Sequence, residues 1–192
     1  VFYGIMEPAG KDCVQYVRST DGGSTWSAPI VLSTSGVSAY APKIAIDGAG
    51  NLIVVWQEVA PDGSWSIQAR KFESGSWLDI KILYVGIFLN ASRCPNVCVA
   101  MNENGQAVVA WFTTQESCQK VQAVLYDGSD WNSWNSQVVD ISGTFVPVNK
   151  MDWPCQNVAI DPMGNAGVVW QQYDNVGNSL IHVSLCTVAD HS

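Results

Sequence analysis

The sequence is poor in charge, and in basic residues above all. Only 14% of its 192 residues are charged, and nine Lys and Arg stand against seventeen Asp and Glu, for a net charge of −8. The basic residues are scattered, so no positive stripe is available to neutralise phosphates. We therefore exclude nucleic acids and anionic membranes as partners. Long apolar runs are also missing, since none approaches the roughly 18 residues that a membrane-spanning helix needs.

Signals for metals and cofactors are equally sparse. Six cysteines form no Cys-x-x-Cys pair, and the two histidines, His182 and His191, lie near the C-terminus. We therefore expect no zinc site, no other metal and no cofactor. An even number of cysteines is compatible with disulfides in an oxidising compartment, but buried thiols fit as well. The chain begins at Val1 rather than at methionine, so we interpret it as a mature or excised piece that has lost any targeting segment.

What the sequence does have is an internal repeat. Three segments align without a gap: IAIDGAGNLIVVW at 44–56, VAMNENGQAVVAW at 99–111 and VAIDPMGNAGVVW at 158–170. Each joins a short β-branched run to a second apolar run that ends in tryptophan. The turn between them begins with Asp or Asn and has glycine three residues later. Asp and Asn bond back to a turn backbone and glycine adopts positive φ, so the pattern predicts three antiparallel hairpins.

Further strand-like runs lie between the hairpins, at 66–72, 79–84, 120–126 and 137–141. Helix signals are missing, since there is neither a long 3.6-residue periodicity nor a capping box before an amphipathic run. Four strands in roughly 50 to 60 residues match one blade of a β-propeller. The sequence therefore predicts an all-β protein built of four-stranded antiparallel blades.

The predicted blades number about three and a half, with about fourteen strands. A closed propeller usually needs at least four blades. We therefore expect the chain to be part of a larger propeller or to complete a ring by oligomerisation. The predicted divisions are a partial blade at 1–39, blades at 40–93 and 94–150, and a partial blade at 151–192.

Residues 19–26, STDGGSTW, predict a second kind of turn, between the third and fourth strands of a blade. The Asp21 carboxylate can accept hydrogen bonds from backbone N–H groups, and the Ser19 hydroxyl can add another. Gly23 supplies the positive φ. Trp26 is expected to fold under the turn and pack between sheets.

This turn, with degenerate copies at 73–77 and 127–131 in step with the hairpin repeat, resembles the Asp-box (BNR-repeat) propellers. That sialidase-like superfamily includes sialidases, propeller lectins and many exported proteins. The resemblance implies a propeller fold and an extracellular, cell-surface or periplasmic location. It also implies a structural role for the residues of the S-x-D-x-G-x-T-W pattern, which are Ser19, Asp21, Gly23, Thr25 and Trp26.

The resemblance also raises the question of catalysis. Sialidases use three arginines on the substrate carboxylate, a tyrosine nucleophile backed by a glutamate, an aspartate acid/base and an Arg-Ile-Pro motif. This chain has three arginines in all, Arg18, Arg70 and Arg93, and no Arg-Ile-Pro. The aspartates of such turns sit at the rim, away from the central channel, so Asp21 is expected to be structural. We predict no catalytic residue.

Polar residues that follow the repeated tryptophans are the candidate ligand-binding residues. Sugar sites use aromatic rings that stack on sugar faces and amides that bridge hydroxyls, although strand ends that meet water would carry the same residues. The middle copy has Phe112-Thr113-Thr114 at this point, so the pattern is not kept in every repeat. The candidates are Gln57, Glu58, Trp170, Gln171, Gln172 and Tyr173.

Three tryptophans, Trp131, Trp134 and Trp153, lie outside the repeated apolar strands. They are the tryptophans for which exposure comes most readily into question, but packing of loops is the role that we favour for them. Trp65, beside a predicted hairpin, falls in the same class.

The predicted function is that of a non-catalytic binding or scaffold domain from an exported or surface protein, with a protein or a glycan as partner. Two alternatives stay open. One is a sialidase-like glycoside hydrolase propeller, and the other is a carbohydrate-binding propeller lectin that completes its ring as a homo-oligomer.

Overall fold

The computed structural model describes residues 2–6, 10–87, 97–115, 118–131, 134, 139–140, 146–147, 156–173 and 178–186. Within these ranges the chain forms strands and turns and no helix, as the sequence predicts. The sixteen strands of the described residues are β1 (Phe2–Met6), β2 (Asp12–Tyr16), β3 (Ile30–Val31), β4 (Ser38–Ile46), β5 (Leu52–Val59), β6 (Ser64–Glu73), β7 (Ser76–Trp77), β8 (Lys81–Ile87), β9 (Val97–Met101), β10 (Ala107–Gln115), β11 (Cys118–Tyr126), β12 (Val139–Asp140), β13 (Val146–Pro147), β14 (Gln156–Ile160), β15 (Ala166–Tyr173) and β16 (Ser179–Cys186).

These strands form four antiparallel sheets in chain order. The first sheet is β1-β2-β3 and the fourth is β14-β15-β16. The second sheet has the order β4-β5-β6 and the third β9-β10-β11, and in each sheet two further strands pair with the third one. In the second sheet, β7 pairs with the end of β6 and β8 with its beginning. The excess over the predicted fourteen strands therefore arises because the outermost strand of each central sheet is split in two.

The three predicted hairpins are confirmed. Strands β4 and β5, β9 and β10, and β14 and β15 pair in antiparallel register across turns at 47–51, 102–106 and 161–165. In each turn one side-chain oxygen of Asp47, Asn102 or Asp161 accepts two backbone N–H bonds, from the residues two and four positions later. The glycines three residues after them have φ between 80° and 89°. This is the left-handed conformation that glycine adopts without a steric penalty.

Alternating residues of the repeated strands face different neighbours. In β5, Leu52, Val54 and Trp56 pack toward the first sheet, whereas Ile53 and Val55 pack toward the third. In β10, alternating residues likewise pack toward the second sheet and toward the fourth. Both strands are buried on both sides. The described residues thus hold three apolar cores, and each one lies between consecutive sheets of the stack.

The hairpin turns also contact one another along one edge of the stack. The side-chain amide of Asn102 donates to the carbonyl oxygen of Asp161 at 2.8 Å, and that of Asn104 donates to the carbonyl of Pro162 at 2.8 Å. The backbone of Gly105 approaches the carboxylate of Asp47, which lies 3.7 Å from the position of an added Cβ. Consecutive sheets are therefore aligned with their first hairpins side by side.

One buried lysine joins the second and third sheets. The Lys71 ammonium, buried in β6, bonds to Glu73 at 2.6 Å and to the Tyr126 hydroxyl of β11 at 3.1 Å. Desolvation lowers the pKa of Lys71, but these hydrogen bonds outweigh it, and the net pKa lies above its usual value. The ammonium is therefore charged at neutral pH and ties two sheets together.

The tryptophans outside the repeated strands have the packing role that the sequence favours. Trp131 and Trp134 are buried against Tyr126 in the core between the second and third sheets, and the alternative of exposure is excluded for both. Trp65 is buried in the same core. Trp153 lies outside the described residues. Exposure follows from whether another sheet covers a side chain, which repeated apolar strands alone do not reveal.

Gly86 of β8 offers a direct test of the packing between the second and third sheets. It pairs with Trp65 across the ladder, and a Cβ added to it would lie 2.7 Å from Cε2 of that indole. We expect Gly86→Ala to destabilise the fold by about 1–3 kcal/mol, because the indole must move within a filled core. Equilibrium urea unfolding followed by tryptophan fluorescence measures the change. Gly48→Ala is the control, since its added Cβ meets Glu103 at 3.6 Å, and equal losses in both variants would contradict the prediction.

Candidate functional site

The candidate ligand-binding residues lie at the end of the strands remote from the hairpin turns. Strand β5 begins after the turn at 47–51 and carries Gln57 and Glu58 near its far end. Strand β15 begins after the turn at 161–165 and carries Trp170 and Gln171 in its second half. The two groups are not brought together, because the third sheet lies between the second and the fourth.

Glu58 is a buried carboxylate with a full set of donors. Its Oε1 accepts from the backbone N–H of Thr34 at 2.7 Å and from the indole of Trp56 at 3.0 Å, and its Oε2 accepts from Gln68 at 2.8 Å. The neighbouring Gln57 is also buried, and neither polar atom of its amide has a hydrogen-bond partner in the described structure. The carboxylate therefore ties the segment before β4 to β5 and β6 and is shielded from solvent.

The fourth sheet gives a more open arrangement. Trp170 is buried, with its ring stacked on His182 at 5.5 Å between centroids and 14° between planes. Gln171, beside it, is partly exposed, and its amide donates to the hydroxyl of Ser179 at 2.6 Å. Gln172 and Tyr173 continue the strand opposite Leu180 and Ser179, but their side chains lie outside the described residues.

The turn at 19–26 has the hydrogen bonds that its sequence predicts. Asp21 Oδ1 accepts from the Ser19 hydroxyl at 2.8 Å and from the Thr25 backbone N–H at 2.9 Å, and Oδ2 accepts from the Thr25 hydroxyl at 2.6 Å. The Ser19 oxygen also accepts from the backbone N–H of Gly23, whose φ is 93°. The carboxylate is thus occupied by the turn itself. The bonds from the side chain and backbone of Thr25, and then from Ser19, lower the pKa of Asp21 from 3.8 to about 2.

Trp26 departs from the expectation. An added Cβ at Gly23 would lie 3.9 Å from its ring, so the indole does fold against the turn. It is nevertheless 57% exposed. The predicted packing between sheets is therefore wrong in the chain as it stands, because the first sheet has no described sheet on that side.

The two arginines of the described residues both contact aromatic rings. Arg18 lies 5.8 Å from the centroid of Phe72, and Arg70 lies 6.0 Å from that of Trp77 and donates from Nε to the carbonyl of Leu78 at 2.7 Å. These contacts occur where the first and second sheets meet. Arg93 lies outside the described residues.

The described ranges contain no group of three or more His, Cys, Asp or Glu side chains that could hold a metal ion. They also contain no helix of the length and hydropathy that crossing a membrane requires.

No family model matches the chain, and no curated protein matches it either. Solved structures do match it in three dimensions. The Hadza microbial sialidase Hz136 aligns with a TM-score of 0.50 at 13% identity, over 78% of this chain and 35% of that one. A protein of unknown function from Dyadobacter fermentans aligns with a TM-score of 0.54 at 12% identity, over 91% of this chain and 45% of that one.

A fucose lectin from Kordia zhangzhouensis, solved with methyl-fucoside, also matches, with a TM-score of 0.44 at 14% identity over 74% of this chain and 91% of that one. The chain spans less than half the length of the first two structures. At these identities the likeness concerns the fold: this chain has an all-β architecture of antiparallel sheets similar to that of a sialidase.

The Asp21 turn leads to a prediction for its titration. Because the folded pKa is depressed, the ionised carboxylate stabilises the turn above the usual pKa of 3.8, and this contribution is lost as the pH falls through about 2. Thr25→Val removes the hydroxyl that contributes most, so the pKa of Asp21 should rise toward 3.8. NMR of the side-chain carboxyl carbon against pH measures it.

Ser24→Ala is the matched control for that titration. The Ser24 hydroxyl donates to the backbone carbonyl of Asp21 and not to its carboxylate. The pKa of Asp21 should stay near 2 in this variant, and a titration near 3.8 in the unsubstituted protein would contradict the assignment.

The buried carboxylate of Glu58 leads to a stability prediction. Glu58→Ala removes the acceptor of three hydrogen bonds, and of the three donors only the Gln68 amide has a second acceptor among the described residues, the Ser66 hydroxyl at 3.0 Å. We therefore expect a loss of about 2–4 kcal/mol in the free energy of unfolding. Urea denaturation measures the loss. Glu103→Ala removes an exposed carboxylate from a turn and should change stability by less than about 0.5 kcal/mol. A similar small change at Glu58 would contradict the proposed bonding.

Proposed function

We propose that the chain is a non-catalytic, Asp-box-type β-propeller domain of an exported protein, and that it binds carbohydrate. The observation that carries the proposal is the stack of four antiparallel sheets in chain order. The first hairpins of the second, third and fourth sheets use one repeated Asp or Asn turn, and the first sheet has the hydrogen-bonded turn at 19–26 that resembles an Asp-box. A radial array of such sheets is the construction of a propeller.

The proposed blades are 1–39, 40–93, 94–150 and 151–192. The first and last described sheets have three strands each, and the central two have the equivalent of four. This supports a partial blade at each end. The ring is then completed by further blades of a larger propeller or by another copy of the chain.

The placement of the acidic and basic groups supports a role without catalysis. Both carboxylate oxygens of Asp21 accept hydrogen bonds from groups of its own turn. Glu58 is buried and bonded to three donors. Arg18 and Arg70 are engaged by aromatic rings where two sheets meet. None of these groups presents a catalytic acid, base or carboxylate clamp to an open cleft.

The proposed carbohydrate contact is the far end of β15. The amide of Gln171 and the hydroxyl of Ser179 lie 2.6 Å apart on a partly exposed stretch, and together they offer a donor and acceptor pair of the kind that bridges sugar hydroxyls. Trp170 and His182 stack on each other on the opposite face of the same strands, toward the third sheet. Gln172 and Tyr173 extend the proposed contact, whereas Gln57 and Glu58 support the second sheet from within.

A glycan array with the folded chain tests this proposal. We expect a specific glycan to bind and Gln171→Ala to weaken that binding roughly tenfold, since one lost polar contact to a bound ligand costs about that much. Gln15→Ala removes an amide from the first sheet and should leave binding unchanged. An array without a specific glycan, or equal binding by both variants, would contradict the proposal.

The likeness to a microbial sialidase favours a second candidate, a sialidase-like glycoside hydrolase propeller. A fluorogenic sialoside separates the two. Turnover by the purified chain would replace the non-catalytic proposal with this one, and the absence of turnover in a chain that binds a glycan would leave the first in place.

A further inference from the structure

The outer face of the fourth sheet is apolar and uncovered by any described part of the chain. Val183 is 64% exposed and Leu185 75%, and Ile181 and Val169 lie on the same face because they pair with Gln171 and Val183 across the ladder. The register places five further residues on this face, Asn157, Ala159, Gly167, Gln171 and Ser179. None of them is charged.

The repeat shows what kind of surface covers this face elsewhere in the molecule. In the aligned hairpins, Val169 occupies the position of Val55 and Ala110. Both of those residues are fully buried, Val55 by the third sheet and Ala110 by the fourth. The same side of the sheet is therefore covered by a following sheet each time a following sheet is present.

The opposite end of the stack carries the complementary feature, which is the exposed Trp26. Its counterparts in the degenerate turns are Trp77 and Trp131. Trp77 packs on Tyr16 of the preceding sheet, with 5.0 Å between ring centroids. Trp131 is buried and donates from its indole to the carbonyl of Asp79 in the preceding sheet at 2.8 Å. The tryptophan of each such turn thus inserts into the contact with the sheet before it.

We propose that the face of the first sheet marked by Trp26 docks on the outer face of the fourth sheet of a second copy of this chain. The turn tryptophan inserts into the preceding sheet at two contacts within the molecule, and Trp26 and the outer face of the fourth sheet are the two halves of such a contact that stay exposed. Docking would cover Gln171, which pairs with Ile181 on the same face, so the contact and the proposed carbohydrate binding are alternative uses of one surface. The inference is argued from the stacking of the sheets alone.

The resulting contact is head-to-tail, so it uses different surfaces on the two partners. Contacts of this kind give closed rings when the rotation closes and filaments when it does not. The rotation that relates consecutive sheets should continue across the new contact. Two copies would then supply eight sheets, which is at the upper end of the range for closed propellers. The net charge of the chain is −8, but the outer face of the fourth sheet carries no charge and therefore adds no local repulsion between two copies.

Light scattering coupled to gel filtration tests the association. We expect the chain to form a discrete dimer at micromolar concentration. Trp26→Ala and Val183→Glu should each weaken it at least roughly tenfold, since a buried interface tryptophan is a common hot spot and a buried unpaired carboxylate is costly. Both side chains are exposed within one copy, so far-UV circular dichroism should be unchanged. Leu185→Glu is the second variant if Val183→Glu does not fold.

A mixture of the two variants tests the head-to-tail geometry. Trp26→Ala retains an intact fourth-sheet face, and Val183→Glu retains an intact Trp26. In a mixture these two intact surfaces can form one contact. We therefore expect a one-to-one heterodimer of the two variants, although neither variant dimerises alone. Native mass spectrometry reads the composition. Val85→Glu is the control, because Val85 is 61% exposed on β8 of the second sheet, away from both faces.

Several results would overturn the proposal. A monomer at every concentration would show that the faces do not meet. A dimer that survives Trp26→Ala but not Val183→Glu would show that two fourth-sheet faces pair with each other. Loss of the dimer in Val85→Glu would show that association does not depend on the two faces.

Discussion

The structure depends on strands that are apolar on both sides. In β5 and β10 successive residues face opposite neighbours and are buried in both directions, so each strand contributes to two cores at once. A strand of this kind cannot be stable in an isolated sheet, because half of its apolar surface would face water. Each of the two central sheets therefore requires a neighbour on both sides, and stability is shared along the stack in the manner of repeat proteins.

This constraint also explains where polar groups are tolerated. The buried side chains of Lys71 and Glu58 lie where several hydrogen-bond partners converge, and each joins segments that are distant in sequence. Their bonds bridge the second sheet to its neighbour and to the segment that enters it. Removing one partner leaves the others buried without that hydrogen bond. Such groups therefore specify how the sheets are aligned, whereas apolar packing alone only brings the sheets into contact.

The sequence predicts the hairpins and the hydrogen bonds of the 19–26 turn because both are local. An Asp or Asn and a glycine three residues apart are sufficient to form the turn, and the apolar runs beside it pair with what is adjacent. Two features could not be predicted in this way. The donors to Glu58 come from Thr34 and Gln68, which lie 24 and 10 residues away. The exposure of Trp26 and the burial of Trp131 depend on which sheet stands next in the stack, and the turn sequences do not encode it.

The turns at 47–51, 102–106 and 161–165 share the same backbone hydrogen bonds. In the middle turn, however, the hydrogen bond between the two side chains runs in the opposite direction. In the outer two, an aspartate accepts from the side chain of Asn51 or Asn165. In the middle turn Asn102 donates to Gln106, and with the same amide it donates to the neighbouring turn at Asp161. An aspartate at that position would have no hydrogen to give. The three copies are therefore not interchangeable. A gene rearrangement that exchanged them would keep the hairpin pattern, but it would place an aspartate carboxylate opposite the backbone carbonyl of the neighbouring turn, and both groups are acceptors.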